Sequence, residues 1–591
     1  VFSISIVLRA CVGVGIVAIA ACAGAGPKPD PILAPQPFYT VMGEIALTRH
    51  EPRVAALQYQ AAAEGTSDPS LLKRATQVAT DTLQPTIAAT VSARWISVDP
   101  KSADAHHAAA RAALALFRID ESAEHYRSVL QTSPDGTDAA FARLETELGS
   151  VDNAFGARQV ADKLAEVFPG SAAARQMQGF AQLRADDPAA AVRSLTSAIA
   201  LKPAGGTPSA TGTQPDPNAQ ADADAAAQAA ASAQADAERE FAQALARARI
   251  SAGDVEAPLA ESQAKLEREG TPANRLDYAL LLLSAQRDDA ALEQLAILAR
   301  APEAESVALR LLGIVEYQQG KFDAAGMRFT ELLRTGKFLD DAFYYLGLIA
   351  EKHNDPERAL RLYAQVQTGE YFVSTLLRAA TILQTHGDAP AADQLLDRLV
   401  EDTPEQAPEI FAARARIYAD AGDIDRGLKV LDWGVLQYPD NVDMHYALAA
   451  TYEQAGRVPE ALGELSALVK ARPGDPAALN ALGYTLADHD QHLSRARALI
   501  ERAHAAAPKN AAILDSMGWV LFRQGKTEQA LPYLSQAYAD DRGGDIAAHL
   551  GEVQWTLGHQ AEADQIWSAA AIVDPDNRLL KSTRQRMHGL K

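Results

Sequence analysis

Residues 511–544 read AAILDSMGWVLFRQGKTEQALPYLSQAYADDRGG. Leu514, Met517 and Leu521, then Ala530, Leu534 and Ala537, recur three and four residues apart. That spacing puts an apolar stripe on one face of each of two helices. Gly525 lies between the two runs and supplies a turn in which φ is free to be positive. Gly518 and Ala530 are small at the places where the paired helices come closest. The pattern stands one period earlier in Leu479, Leu482, Gly483 and Leu486, followed by Ala496, Ile500, Ala503 and Pro508. It stands one period later in Leu550, Gly551, Gly558, Ala563, Trp567, Ala570 and Pro575. A proline behind the second helix cannot continue it. These segments predict a helix–turn–helix unit repeated every 33–35 residues.

The small residue of the first helix can be followed backwards through Ala449, Ala415, Ala380, Gly347, Gly313 and Ala279, and beyond a gap through Gly179, Glu145, Ala110, Thr76 and Gly43. Glu145 and Thr76 mark weaker copies. Prolines agree in register: Pro473, Pro439, Pro404, Pro203, Pro169, Pro134 and Pro100. The period and the residue classes resemble the tetratricopeptide (TPR) repeat of about 34 residues. The fold expected is all-α, a solenoid of about 14–15 units, because each unit leaves apolar surface exposed until a neighbour covers it.

Five units are expected over 37–203 and about ten over 237–577, with 578–591 as a basic tail or cap. Between the blocks, 204–218 (AGGTPSATGTQPDPN) reads as a loop, and residues 219–237 hold twelve alanines in nineteen. Alanine favours helix but buries little, so 204–236 is assigned as a low-complexity insertion. Within it, 219–251 reads as one overlong helix whose second half packs, with 254–269 as its partner. The alternative is a disordered spacer over 204–232.

The chain has 591 residues and a formal charge of −21, which counts against a nucleic-acid partner, because phosphate contacts require a basic face. Its two cysteines, Cys11 and Cys22, both precede the repeats. The repeats therefore carry no disulfide, thiolate zinc site or cysteine nucleophile. Residues 1–21 read as a signal peptide, with Arg9 before an apolar run and small residues at its exit. Ile19-Ala20-Ala21-Cys22 resembles a bacterial lipobox, which implies lipidation at Cys22. Ala23 follows it, and the same resemblance implies the periplasmic face of the outer membrane. Residues 22–36, rich in proline, read as a semi-rigid tether.

Catalytic and metal chemistry find little support in the sequence. His106 and His107 are adjacent on a helix and point about 100° apart, so both cannot easily reach one ion. His489 and His492 lie at a turn with one extra residue. The carboxylates fall on helical positions beside Arg and Lys and read as solvated faces. No phosphate loop or nucleophile elbow is present. No cofactor, metal or catalytic residue is therefore expected, and Tyr452, Trp433, Phe411 and Phe329 read as core. In TPR domains that bind peptides, positions 2, 5, 9, 12 and 13 of the first helix face the concave side. By that resemblance Asn480, Tyr484, Asp515, Trp519, Phe522 and Arg523 line a partner-binding groove. The competing reading is that the aromatic residues cover the adjoining repeat.

The plan of the whole chain, with ALNALGYTLAD and AILDSMGWVLFRQGK, resembles the TPR lipoproteins that partner C-terminal processing proteases in Gram-negative bacteria. The resemblance implies an adaptor with periplasmic protein partners, a serine protease and its substrates such as peptidoglycan hydrolases. It implies membrane contact through the lipid alone. Other readings are a scaffold for outer-membrane assembly or polysaccharide export, and a hydrolase hidden among the helices.

Overall fold

In the computed structural model residues 36–201, 217–574 and 577–589 are described, with the side chains of 217–231 and Val573 excepted. The leader 1–21, Cys22, the tether up to residue 35, Pro203 and Pro575 lie outside the described residues. Among the described residues, 31 α-helices pack mostly in consecutive pairs, with a last helix closing the array, as a superhelix of the TPR type. First helices also stack on first helices: α21 (Ala407–Asp420) on α23 (Val442–Gln454), α25 (Pro476–Asp488) on α27 (Ala511–Arg523), and α27 on α29 (Gly544–Thr556). These stacks build parts of an inner wall.

The small-residue register has a direct steric cause. A Cβ on Gly313 of α15 (Glu305–Gln318) would stand 2.7 Å from the Phe329 ring of α16 (Phe322–Thr335). One on Gly43 would stand 2.6 Å from Tyr59, and one on Gly518 2.5 Å from Leu534. Each glycine faces a large, buried residue sixteen places on. Gly483 instead faces Ile500, at 2.6 Å, because the turn at His489–His492 carries its extra residue between them. Glu145 breaks the rule. There α7 (Thr137–Ser150) packs chiefly on α9 (Ala172–Arg184), and α8 (Ala154–Val167) on α9 and α6 (Ile119–Thr132), rather than on each other. A glutamate cannot enter the close approach, so the pair splays.

Side-chain caps start many first helices. Asp475 accepts from the Ala477 and Ala478 N–H groups, and Asn510 accepts from Ile513. Gly525 turns the chain at φ 76°. The overlong helix is α11 (Pro217–Ser251), with α12 (Glu256–Glu269) beside it. The loop read over 204–218 falls outside the described residues as far as 216. Where side chains are described, residues 232–238 of α11 are exposed. Burial starts at Phe241 and Ala244, against Leu195 and Ala198. The end of the chain is α31 (Arg578–Gly589), whose Leu580 and Met587 cover Trp555 and Trp567. A helix thus occupies most of the segment expected as a tail. No helix among the described residues is long and apolar enough to cross a membrane.

Candidate functional site

The structure brings five of the six expected groove residues together, but around a residue that the repeat register did not select. His549 of α29 is only 2% exposed. Its Nδ1 lies 2.9 Å from Asp515 Oδ2, and its ring stacks on Trp519 at 4.1 Å with planes 23° apart. Its Nε2 lies 3.5 Å from the Tyr484 hydroxyl. Trp519 Nε1 donates to Asp488 Oδ1 at 3.1 Å. Arg523 donates to the Asp488 carbonyl at 2.8 Å, pairs with Asp490 and lies over the Trp519 face at 5.3 Å. The Phe522 ring is 5.4 Å from Trp519.

Asp515 and Trp519, expected on an open groove, are therefore buried at 6% and 4% exposure. The cause is curvature. Tyr484 on α25 reaches His549 on α29, two units away, so side chains aimed inward fill the space between first helices. Asn480 stands apart, half-buried, and its Oδ1 has no hydrogen-bond partner. Asp515 and His549 lie one period apart, so aligning successive copies would have exposed this pair; the register followed only small residues and prolines. Burial opposes the His549 imidazolium, but the Asp515 carboxylate outweighs it and the pKa is raised. Burial, then the nearby Asp488, Asp515 and Asp545, pushes the Tyr484 hydroxyl well up.

A second feature of the wall escaped the sequence reading. Tyr317 on α15, Tyr344 and Tyr345 on α17 (Leu339–Lys352), and Tyr371 before α19 (Phe372–Thr385) form a half-buried cluster. Tyr344 and Tyr371 stack at 4.4 Å, and Tyr345 lies face to face with the buried Phe329 at 4.7 Å. Arg378 closes one side, donating to both oxygens of Glu351 at 2.8 and 2.9 Å. The available signal was the Tyr344-Tyr345 pair with Tyr371 close behind, in a chain only 6% aromatic. Partly wet rings beside a guanidinium suit a polypeptide partner, since aromatic residues and arginine carry much of the energy of protein interfaces.

Other expectations meet mixed outcomes. Phe329 and Phe411 are core, whereas Trp433 is 47% exposed and only rests edge-on against Phe411. It stands on the outer face of its helix, α22 (Ile424–Gln437). The reading of carboxylates as solvated fails at Asp277, Glu316, Asp475, Asp515 and Glu552, all buried. Their partners explain this. Asp277 takes Arg239, Glu316 takes Arg328, Glu552 takes Arg586, Asp515 takes His549, and Asp475 caps α25. His106 and His107 turn to different neighbours, His125 and Glu147. Among the described residues, no group of three or more His, Cys, Asp or Glu is placed to hold a metal.

Residues 310–370, 412–476 and 452–511 match the family model described as tetratricopeptide repeat. These stretches are TPR repeats, a class that suggests a protein-binding scaffold. Over 214 residues it is 36% identical to the TPR repeat-containing protein PA4667 of Pseudomonas aeruginosa. That match spans 36% of this chain and 36% of the relative's length. Among solved structures, yeast Tom70 aligns with 94% of this chain and 95% of its own, at 12% identity and a TM-score of 0.33. TTC0263, a thermophilic TPR protein of Thermus thermophilus, aligns with 31% of this chain and 98% of its own, at 21% identity and a TM-score of 0.28.

Proposed function

We propose that this protein is a lipid-anchored adaptor on the periplasmic face of the outer membrane. It holds a C-terminal processing protease and brings that protease its substrates, cell-wall hydrolases among them. The observation that carries the reading is the half-buried tyrosine wall of Tyr317, Tyr344 and Tyr371, set on TPR repeats. It offers rings and an adjacent arginine to a polypeptide without offering a reaction centre. The lipobox at Cys22 supports the anchor, and the acidic balance of the chain favours basic clients. Holding two proteins on one scaffold raises their mutual concentration to about the mM range with no new chemistry. The test combines the purified chain with a processing protease and a cell-wall hydrolase. Capture of the protease and faster cleavage of the hydrolase are expected, and replacing Tyr344 by Ala weakens capture about tenfold. An unchanged cleavage rate with all three components present refutes the reading.

A further inference from the structure

The superhelix touches itself. Turns of the first block meet loops within the second block, edge to edge, across about 350 residues. At the start of α2 (Pro52–Ala63), Arg53 donates to the Leu436 carbonyl at 2.8 Å. Between α3 (Pro69–Asp81) and α4 (Pro85–Val98), Gln84 donates to the Gln437 carbonyl at 2.8 Å. Thr86 gives Asp440 two bonds, from its N–H at 3.1 Å and its hydroxyl at 2.8 Å. After α5 (Ala103–Ala115), the Ala115 carbonyl accepts from Arg472 at 2.6 Å. Arg472 also holds the Asp440 carbonyl at 2.9 Å.

Two further observations mark the seam. Gln84 lies at a helix start on the rim of the solenoid, where an open array would leave it wet, yet it is 1% exposed. Leu83 and Phe117 occupy their turns at φ 57° and 58°, the left-handed conformation that the same turn position takes elsewhere in the array, at His50, Asp186 and Gln286 for example. Both side chains are half-buried at the seam. Leu83 packs on the cluster of Phe411, Leu431 and Met444, and Phe117 lies beside Gly474. The seam differs from the packing between neighbouring units. It is made largely of bonds to carbonyls, and Asp152 of the α7–α8 turn carries the same charge as the nearby Asp443, which Arg472 offsets in part.

We propose that this seam is a reversible clasp, which closes one turn of the superhelix on itself and fixes the width of its hollow. In the closed form Gln84, Thr86 and Arg472 hold the two edges together. In the open form the first block swings away about the connection through α11, and the inner wall widens. This device rests on no particular partner. Apolar packing through neighbouring units survives the opening, because only the rim contacts are lost.

Hydrogen exchange on the full-length chain tests it, with sedimentation of the same samples. Asp440→Ala removes both Thr86 bonds from the far side. Exchange at Leu83–Thr86, some 350 residues away in sequence, is expected to quicken about tenfold, and the sedimentation coefficient to fall. Asp152→Asn removes the opposing charge, and exchange at Thr86 and Phe117 is expected to slow. A slowing cannot come from a damaged fold. The proposal is overturned if Asp440→Ala alters exchange only in its own loop, or if Asp152→Asn leaves or quickens exchange at Thr86.

Discussion

Replacing Gly313 by Ala isolates the contact that sets the repeat. The added Cβ would stand 2.7–3.0 Å from three atoms of the Phe329 ring, which is fully buried and stacked on Tyr345. Relief requires a displacement of about half an ångström or more by a ring with no room behind it. Overpacking of this kind costs about 1–3 kcal/mol, and the better helix propensity of alanine returns about 1 kcal/mol. The net loss expected is at most about 2 kcal/mol. Phe329→Leu alone removes buried volume and costs about 1–2 kcal/mol. The double variant recreates a pairing this chain already uses in Ala279–Leu295, Ala380–Leu396, Ala415–Leu431 and Ala449–Leu465, all buried in shared clusters. It should therefore lose less than the sum of the single losses, by about 1–2 kcal/mol. A long repeat array does not unfold as one two-state unit, so the assay is native-state hydrogen exchange of α15 and α16. Gly313→Ala is expected to speed their slowest amides by up to about 30-fold. Additive losses, to within about 0.5 kcal/mol, would refute the steric account of the small-residue register.

The buried His549 makes the last units sensitive to pH. Its folded pKa is raised, so protonated His549 contributes stability in full below about pH 6.5, its unfolded value. That contribution fades as pH rises through the folded value; protection of α27 and α29, corrected for intrinsic exchange, should fall over that range, and Asp515→Asn should flatten the dependence. The closing helix is held by Arg586, which donates to both oxygens of the buried Glu552 at 2.7 and 2.6 Å. Arg586→Ala leaves that carboxylate unpaired. The arginine is 53% exposed, so the loss is discounted to about 1–3 kcal/mol, read as faster exchange across 578–589 and a red shift of Trp555 and Trp567 fluorescence. An unchanged spectrum and unchanged exchange would show that apolar packing alone seats α31.

What was legible in the sequence is what recurs locally. Gly43, Gly313, Gly518 and the prolines each answer to a neighbour within their own unit, so one strand of text contains both partners. Gly483 and Ile500 were legible even with an inserted residue, since helix periodicity restarts after the turn. The side-chain fates at Asp515, Trp519 and Glu552 were not. Each depends on how sharply one unit bends on the next, and a register of small residues carries no information about bend. The exposed Trp433 failed for a related reason, because helical spacing assigns a residue to a face but not that face to the inside. Leu83, Gln84 and Phe117 lay furthest from view. Their positions look like ordinary turns until a segment 350 residues away is laid against them.

That distant contact changes how the array should respond to strain. In a solenoid each unit touches only its neighbours, so a disturbance fades unit by unit. The superhelix here adds a second route, from the α3–α4 turn directly to the loop behind α22. Forming such a contact in a flexible chain would cost loop-closure entropy that grows with the logarithm of the length closed. The stacked helices between the two edges have already given up most of that freedom in packing against one another. The clasp therefore needs only a few hydrogen bonds and two apolar side chains to hold, and little to release. Strain applied at Thr86 reaches Asp440 in one step, whereas along the wall it would cross every unit from α4 to α22.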